Sequence, residues 1–84
     1  EELAVSKLMG EKTIWCGPSV GSAPLRGFVQ VRAHGSPLDC TYYFDGERLI
    51  AELDIPLLGI ANGQAMVIYD GDRVVGAATI TETK

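Results

Sequence analysis

Apolar and polar residues alternate along three stretches of this chain. Residues 27–34 carry small apolar side chains at every second position, namely Val29, Val31 and Ala33. The positions between them hold Phe28, Gln30, Arg32 and His34. Residues 38–44 place Leu38, Cys40, Tyr42 and Phe44 on one side, and residues 47–53 place Leu49, Ala51 and Leu53 opposite Arg48 and Glu52. Successive side chains of a strand point to opposite faces, so this period of two predicts β-strands with one buried face.

Two Asp-Gly pairs, Asp45-Gly46 and Asp70-Gly71, separate stretches of this kind. Asp-Gly is typical of type I′ turns, whose two central residues both need positive φ, so each pair predicts a β-hairpin. The first hairpin joins residues 38–44 to 47–53, and the second joins residues 65–69 to 73–80. Residues 54–64 lie between the hairpins as an apolar crossover, in which Pro56 and Gly59 disfavour a helix.

The beginning of the chain gives a weaker pattern. Residues 3–9 predict a first strand with Leu3, Val5 and Met9 on one face, although their Glu, Leu, Ala and Lys content also favours a helix. Residues 17–25 are rich in Gly, Pro and Ser and predict a loop. Gly and Pro recur so often that few intervals accommodate a helix of ordinary length. The expected fold is therefore all-β, a small closed or partly open antiparallel barrel of about six strands, because closure removes exposed strand edges.

Length and charge limit the function. The 84 residues form one expected domain, residues 1–84, and 46% of them are hydrophobic, which suits a packed globule. Seven Lys and Arg against eleven Asp and Glu give a net charge of −4. Nucleic-acid affinity comes largely from phosphate neutralisation, so a self-sufficient RNA-binding domain is expected to be basic. Any RNA contact is therefore expected to be local, or to add to a stronger contact made by another domain.

The chain also gives little sign of export, membrane insertion or metal binding. No apolar run approaches the roughly 20 residues of a spanning helix, and the first dozen residues lack the features of a signal peptide. We therefore expect a soluble, cytoplasmic protein. Cys40 lies in a strand-like run and is expected to be a buried apolar side chain, whereas Cys16 lies in a loop-like context. Two isolated Cys and one His make a zinc site improbable, and no metal is expected.

Several ordered motifs resemble one protein family. Residues 60–76, IANGQAMVIYDGDRVVG, resemble the A-x-G-Q-x-x-V-x-Y-D/N-G signature that closes bacterial tRNA-specific 2-thiouridylases. Residues 32–40 resemble the R-Y-R-Q-x-x-x-x-C stretch of that family, and Ile14-Trp15 is similar to its N/H-W segment. Residues 44–56 look like its hairpin ending in F-D-x-P. The chain departs from the pattern at Gly27, Ala33, His34 and Gly35, and the resemblance covers about residues 3–80.

The resemblance implies a division of labour within a larger enzyme. In the family, an N-terminal ATP-binding domain activates the wobble uridine by adenylation, and cysteines there and in the neighbouring region deliver persulfide sulfur. Neither the Ser-Gly-Gly-x-Asp-Ser loop nor a motif that assigns catalysis to Cys16 or Cys40 occurs here. The resemblance therefore implies a non-catalytic C-terminal barrel, similar to translation-factor barrels, with no cofactor of its own. Its implied partners are the tRNA anticodon arm, the upstream domains and, for the parent enzyme, a sulfur-carrier protein.

Four polar residues are candidates for RNA contact. Gln30, Arg32 and His34 share one strand face, and Arg26 extends the same basic stripe. An Arg offers phosphate a fixed charge, and His34 becomes a donor when protonated. The alternative is a solvated outer face of a barrel strand, which the acidic balance of the chain favours.

The remaining candidates are apolar. Trp15, Tyr42 and Tyr43 offer stacking surfaces for bases, but aromatic residues of a small barrel more often belong to its core. The crossover residues Leu57, Leu58 and Ile60 either cap one end of the barrel or form a packing patch for a neighbouring domain.

Three hypotheses follow from these patterns. The leading one is a barrel that helps to position tRNA and packs against other domains of a sulfurtransferase. The second is a structural protein-interaction barrel with no RNA contact. The third is a free-standing small enzyme or ligand-binding barrel, which would need a pocket with convergent polar groups.

Overall fold

Six antiparallel strands close into a barrel in a computed structural model that describes residues 4–15, 23–31 and 36–84. The strands are β1 (Val5–Trp15), β2 (Leu25–Val31), β3 (Leu38–Asp45), β4 (Arg48–Leu57), β5 (Ala65–Asp70) and β6 (Arg73–Thr83). Their order around the barrel is β1-β4-β3-β2-β5-β6, and β6 pairs with β1 to close the ring. The expected all-β barrel is confirmed. In this order, β1 and β2 lie on opposite sides of the ring.

The interior is filled by one layer of apolar side chains. The fully enclosed residues are Leu8, Val29, Val31, Cys40, Leu49, Ala51, Met66, Ile68 and Ile80, and every described residue that is buried is apolar. The alternation in β2, β3 and β4 places the predicted apolar residues inside, so those predictions are confirmed for the described positions. Ala33 lies outside the described residues.

The two predicted hairpins form, but their turns differ from the prediction. Asp45 pairs with Arg48 and Asp70 pairs with Arg73, so both Asp residues end strands instead of occupying a central turn position. The central residues are 46–47 and 71–72, and positive φ (66° in each turn) occurs only at the glycine. This pattern is that of a type II′ turn, which needs Gly at its first central position. The type I′ assignment was therefore wrong, although the hairpins that it predicted are confirmed.

The first strand is longer than predicted and is interrupted by bulges. Its register shifts between Met9 and Gly10 against β6, and again between Glu11 and Ile14, where Lys12 adopts a φ of 55°. Against β4 the register also shifts between Val5 and Lys7, so Leu8 is fully buried although the sequence pattern placed it opposite Val5 and Met9. The competing helix is excluded for residues 5–15, and Leu3 lies outside the described residues.

The boundaries of two other strands, β2 and β4, also differ from the prediction. Leu25, predicted as loop, begins β2, and residues 32–34 of the predicted strand lie outside the described residues. Residues 54–57 of the predicted crossover continue β4. Pro56 is tolerated there because the β1–β4 register shifts between Val5 and Lys7, so the missing N–H interrupts no regular ladder. Across residues 4–15, 23–31 and 36–84, no helix has the length and apolarity needed to cross a membrane.

Candidate nucleic-acid interface

The outer face of β2 carries the predicted polar residue Gln30 beside two aromatic rings. Phe28 lies directly opposite Tyr69 of β5, and Gln30 lies opposite Val67. The Tyr69 hydroxyl donates a hydrogen bond to Oε1 of Gln30 at 3.0 Å. The neighbouring positions Val29 and Val31 point into the core, so this face is fixed by the register of β2. Arg32 and His34, the other predicted RNA contacts within residues 27–34, lie outside the described residues.

Arg26, the fourth predicted RNA contact, forms a two-pronged ion pair with Asp54. Its two terminal nitrogens donate to the Asp54 carboxylate at 2.7 and 2.6 Å, and Nη1 also donates to Oγ1 of Thr41 at 3.0 Å. The hydrogen bonds lower the pKa of Asp54 and raise that of Arg26. Both side chains remain largely exposed, at 60% and 42%. A phosphate at Arg26 would therefore meet a cation that already carries a carboxylate counter-charge.

A groove runs along the outer surface next to Gln30. Its volume is about 340 Å³, and it is lined by Phe28, Gln30, Pro37, Tyr69, Gly71 and Asp72. We call it the Phe28–Tyr69 groove. Phe28 also borders a second, smaller groove lined partly by Arg26, Asp39 and Asp70.

The sequence analysis missed both aromatic residues of the groove. The spacing of two between Phe28 and Gln30 already placed Phe28 on the candidate face. Tyr69 lies in a distant hairpin, and nothing local indicates that β5 pairs with β2.

The aromatic residues that the sequence analysis did consider serve the structure. The Trp15 ring packs edge-on against Phe44 with centroids 5.2 Å apart, and against Tyr42 at 5.9 Å. Tyr42 is buried, which confirms the expected core role. Tyr43 points to the opposite face and donates a hydrogen bond to Glu52 at 2.7 Å, which raises the pKa of its hydroxyl to about 12.

The apolar crossover residues divide between the two roles that the sequence left open. Leu57 and Ile60 are partly buried and pack against the core, as a cap of the barrel would. Leu58 is 52% exposed and Ile55 is 78% exposed, so these two side chains present apolar surface to the outside. Of the three residues predicted for domain packing, Leu58 is thus the one that is available to a neighbour.

The one described cysteine is inert. Cys40 is a free thiol with no exposed surface, and burial raises its pKa to about 12, so the reactive thiolate is disfavoured. Cys16 lies outside the described residues. Within the part of the chain that is described, no three His, Cys, Asp or Glu side chains are grouped as a metal site requires.

The fold and the site define a class of protein, a small closed antiparallel barrel whose candidate binding residues lie on its outer surface. The Aminomethyltransferase beta-barrel domain family matches residues 5–80, and the chain belongs to this family. The resemblance noted from the sequence is therefore confirmed.

Curated relatives match over almost the whole chain. The tRNA-specific 2-thiouridylase MnmA of Nocardioides sp. is 48% identical over 83 residues, covering 99% of this chain and 22% of the relative. The proteins of the same name from Acidothermus cellulolyticus and Thermobifida fusca are 43% and 44% identical, covering 100% and 99% of this chain. The chain spans less than a quarter of the length of these relatives, since it covers 23% of each of the latter two.

Proposed function

We propose that this barrel is the C-terminal module of a tRNA 2-thiouridylase, where it helps to hold the tRNA anticodon arm and packs against the central domain. The observation that carries the proposal is the 43–48% identity to three 2-thiouridylases across almost the entire barrel. Such a module acts in the cytoplasm, where tRNA is modified. Catalysis belongs to the remainder of the parent enzyme, which would bind ATP, receive sulfur from a carrier protein and thiolate the wobble uridine.

Charge supports an auxiliary role for the barrel in RNA binding. The net charge of −4 opposes an approaching phosphate backbone. Among the described cations, Arg26 is paired with Asp54, Arg48 with Glu82 at 2.8 Å and Lys7 with Glu52 at 3.8 Å. We therefore propose that RNA contacts centre on Arg26 and Gln30 of the outer face of β2, together with Arg32 and His34, which follow β2 in the sequence. Weak, salt-sensitive binding is expected from so few phosphate contacts.

The proposal is tested by titrating the 84-residue chain with an anticodon stem-loop RNA while amide chemical shifts are recorded. Shifts are expected around Gln30 and its neighbours, and Arg32→Glu is expected to weaken binding. Lys12→Glu is the matched control, because it reverses one charge on β1, at the opposite side of the barrel. Equal weakening by both variants, or shifts confined to β1 and β4, would contradict the assignment of the RNA-contacting face.

A protein-interaction barrel without RNA contact is the second candidate function. The exposed side chains of Ile55 and Leu58 at one end of the barrel favour it. In a full-length 2-thiouridylase that carries this barrel, the second candidate predicts that Leu58→Asp reduces tRNA thiolation while Arg32→Glu leaves it unchanged. The leading proposal predicts that Arg32→Glu reduces thiolation as well.

A further inference from the structure

The Phe28–Tyr69 groove has the chemistry of a site for a single nucleobase. Phe28 and Tyr69 are directly opposite across β2 and β5, and both side chains are half-buried. The hydrogen bond from the Tyr69 hydroxyl to Gln30 holds the tyrosine ring in place. Aromatic side chains on neighbouring strands of a sheet offer an apolar surface, and base stacking on such surfaces is how single-stranded RNA is commonly bound.

The charges around the groove indicate a base instead of a phosphate. None of the described lining residues is cationic, and the one carboxylate among them is that of Asp72, an exposed acid at the second central position of the β5–β6 turn. A carboxylate repels phosphate, but it accepts hydrogen bonds from the exocyclic amino groups of bases, as Asp and Glu do from N4 of cytosine. Uracil has no such amino group.

We propose that the Phe28–Tyr69 groove binds one unpaired, amino-bearing base of RNA, which stacks on Phe28 and Tyr69 and donates its amino group to Asp72. This inference rests on the proposed RNA contact of the barrel and adds to it a site, a ligand class and a preference for cytosine over uracil. It also explains how an acidic barrel contributes to RNA binding, because stacking requires no phosphate neutralisation.

The test uses short oligonucleotides with the 84-residue chain. Tetracytidylate and tetrauridylate are compared with a tetranucleotide of abasic sugars, which keeps the phosphates and removes the bases. Pyrimidine chains are chosen because cytosine and uracil have the same ring size and differ chiefly in the amino or carbonyl group at C4. Binding is followed by the ring proton shifts of Phe28 and Tyr69. Tetracytidylate is expected to shift both rings and to bind roughly fivefold more tightly than tetrauridylate, and the abasic chain is expected to leave the rings unchanged.

Three variants separate stacking, ring position and amino recognition. Phe28→Leu keeps an apolar side chain and is expected to weaken binding of tetracytidylate about fivefold or more, equally at about 50 and 200 mM salt, because a stacking contact releases no counterions. Tyr69→Phe, which only removes the hydroxyl bonded to Gln30, is expected to weaken it less. Asp72→Asn is expected to abolish the preference for cytosine, because an amide can pair with either pyrimidine.

Matched controls come from the other hairpin. Tyr43→Leu removes an aromatic side chain from the outer face of β3, and Glu47→Gln neutralises the acid at the equivalent position of the β3–β4 turn. Neither is expected to alter binding. Backbone amide spectra of all variants establish that the barrel remains folded.

The outcomes distinguish this inference from the proposed function. Binding of anticodon stem-loop RNA that Phe28→Leu and Asp72→Asn leave unaltered would overturn the base site while the RNA role stands. Equal binding of the abasic chain would show a phosphate site and would also overturn it. Ring shifts that appear only when the barrel is joined to the rest of a full-length 2-thiouridylase would identify the groove as a protein contact. No RNA binding at all would remove the proposed function first, and the base site with it.

Discussion

Replacement of Gly76 by Ala tests the packing that closes one end of the barrel. A Cβ at residue 76 would overlap atoms Cε3 and Cζ3 of the Trp15 ring and would lie 3.1 Å from the carbonyl oxygen of Ile14. The Trp15 ring also packs against Tyr42 and Phe44, and these contacts limit its freedom to move away. Gly76 also lies next to a register shift between β5 and β6, so a bulge and a close backbone approach coincide at this position.

The expected loss of stability can be estimated from these contacts. Forcing an extra methyl group into a packed site costs about 1–3 kcal/mol. If the ring moves instead, the loss of two aromatic contacts at about 0.5–1.5 kcal/mol each gives a similar total. Ala in a strand regains about 0.5–1 kcal/mol relative to Gly, because the unfolded chain loses freedom. Central values of about 2 kcal/mol for the cost and about 0.75 kcal/mol for the gain leave a net loss of about 1.3 kcal/mol in the free energy of unfolding, or roughly 7 °C in Tm at an unfolding entropy of about 2.1 cal/mol/K for each of the 84 residues.

Urea unfolding followed by far-UV circular dichroism measures this loss in every variant, because the Trp15→Leu background removes the only tryptophan and with it the fluorescence signal. A double-mutant cycle locates the cause. With Trp15→Leu already present, Gly76→Ala is expected to be neutral or slightly stabilising. Gly46→Ala is the control, since its cost arises from a φ of 66° in open space and is expected to be the same with or without the Trp15 ring. If Gly76→Ala costs the same in both backgrounds, the overlap with Trp15 is not the reason.

Three further predictions concern other parts of the barrel. In a Cys16→Ser chain, Cys40 is expected to resist a thiol reagent at pH 8 until urea unfolds the barrel, and rapid labelling of the native chain would contradict its burial. The lowered pKa of Asp54 gives stability that is present above the unfolded pKa of about 3.9 and is lost as pH falls from there through the folded value. Asp54→Asn should therefore weaken the dependence of the urea midpoint on pH over that acidic range. An unchanged dependence on pH would show that the ion pair does not stabilise the fold. Leu57→Ser is expected to lower the free energy of unfolding by about 1–3 kcal/mol, whereas Leu58→Ser should change it by less than about 0.5 kcal/mol, and equal effects would refute their different burial.

Bulges explain why the buried side chains of β1 differ from those that the sequence predicts. The alternation in β2, β3 and β4 gave the correct core-facing residues, although it did not predict that Ile50, on the opposite face of β4, is also buried. In β1 the register shifts once against β4 and twice against β6, and after the shift between Val5 and Lys7 it is Leu8 that faces the core. A bulge depends on which partner the strand has and on how sharply the barrel must bend there. Neither is visible in a local pattern of apolar and polar residues.

The candidate site likewise depends on strand pairing, which the local sequence pattern does not reveal. The spacing within β2 places Phe28 and Gln30 on one outer face, and the sequence analysis selected Gln30 for that reason. The second ring of the groove, Tyr69, is 39 residues away from Gln30 in the chain. Arg26 was selected for its charge, but its bidentate partner Asp54 is 28 residues away. Both contacts depend on which strands become neighbours.

The sequence by itself determined that this protein is an all-β barrel, where its two hairpins turn and which family it belongs to. These properties depend on local alternation, on Gly at the turns and on ordered motifs. Only the tertiary structure decided that β2 lies between β3 and β5, and thereby that Phe28, Tyr69 and Asp72 line one groove. The physical reason is that strand order minimises the exposed apolar surface of the entire closed barrel, whereas the pattern of one strand specifies only which of its own faces is buried.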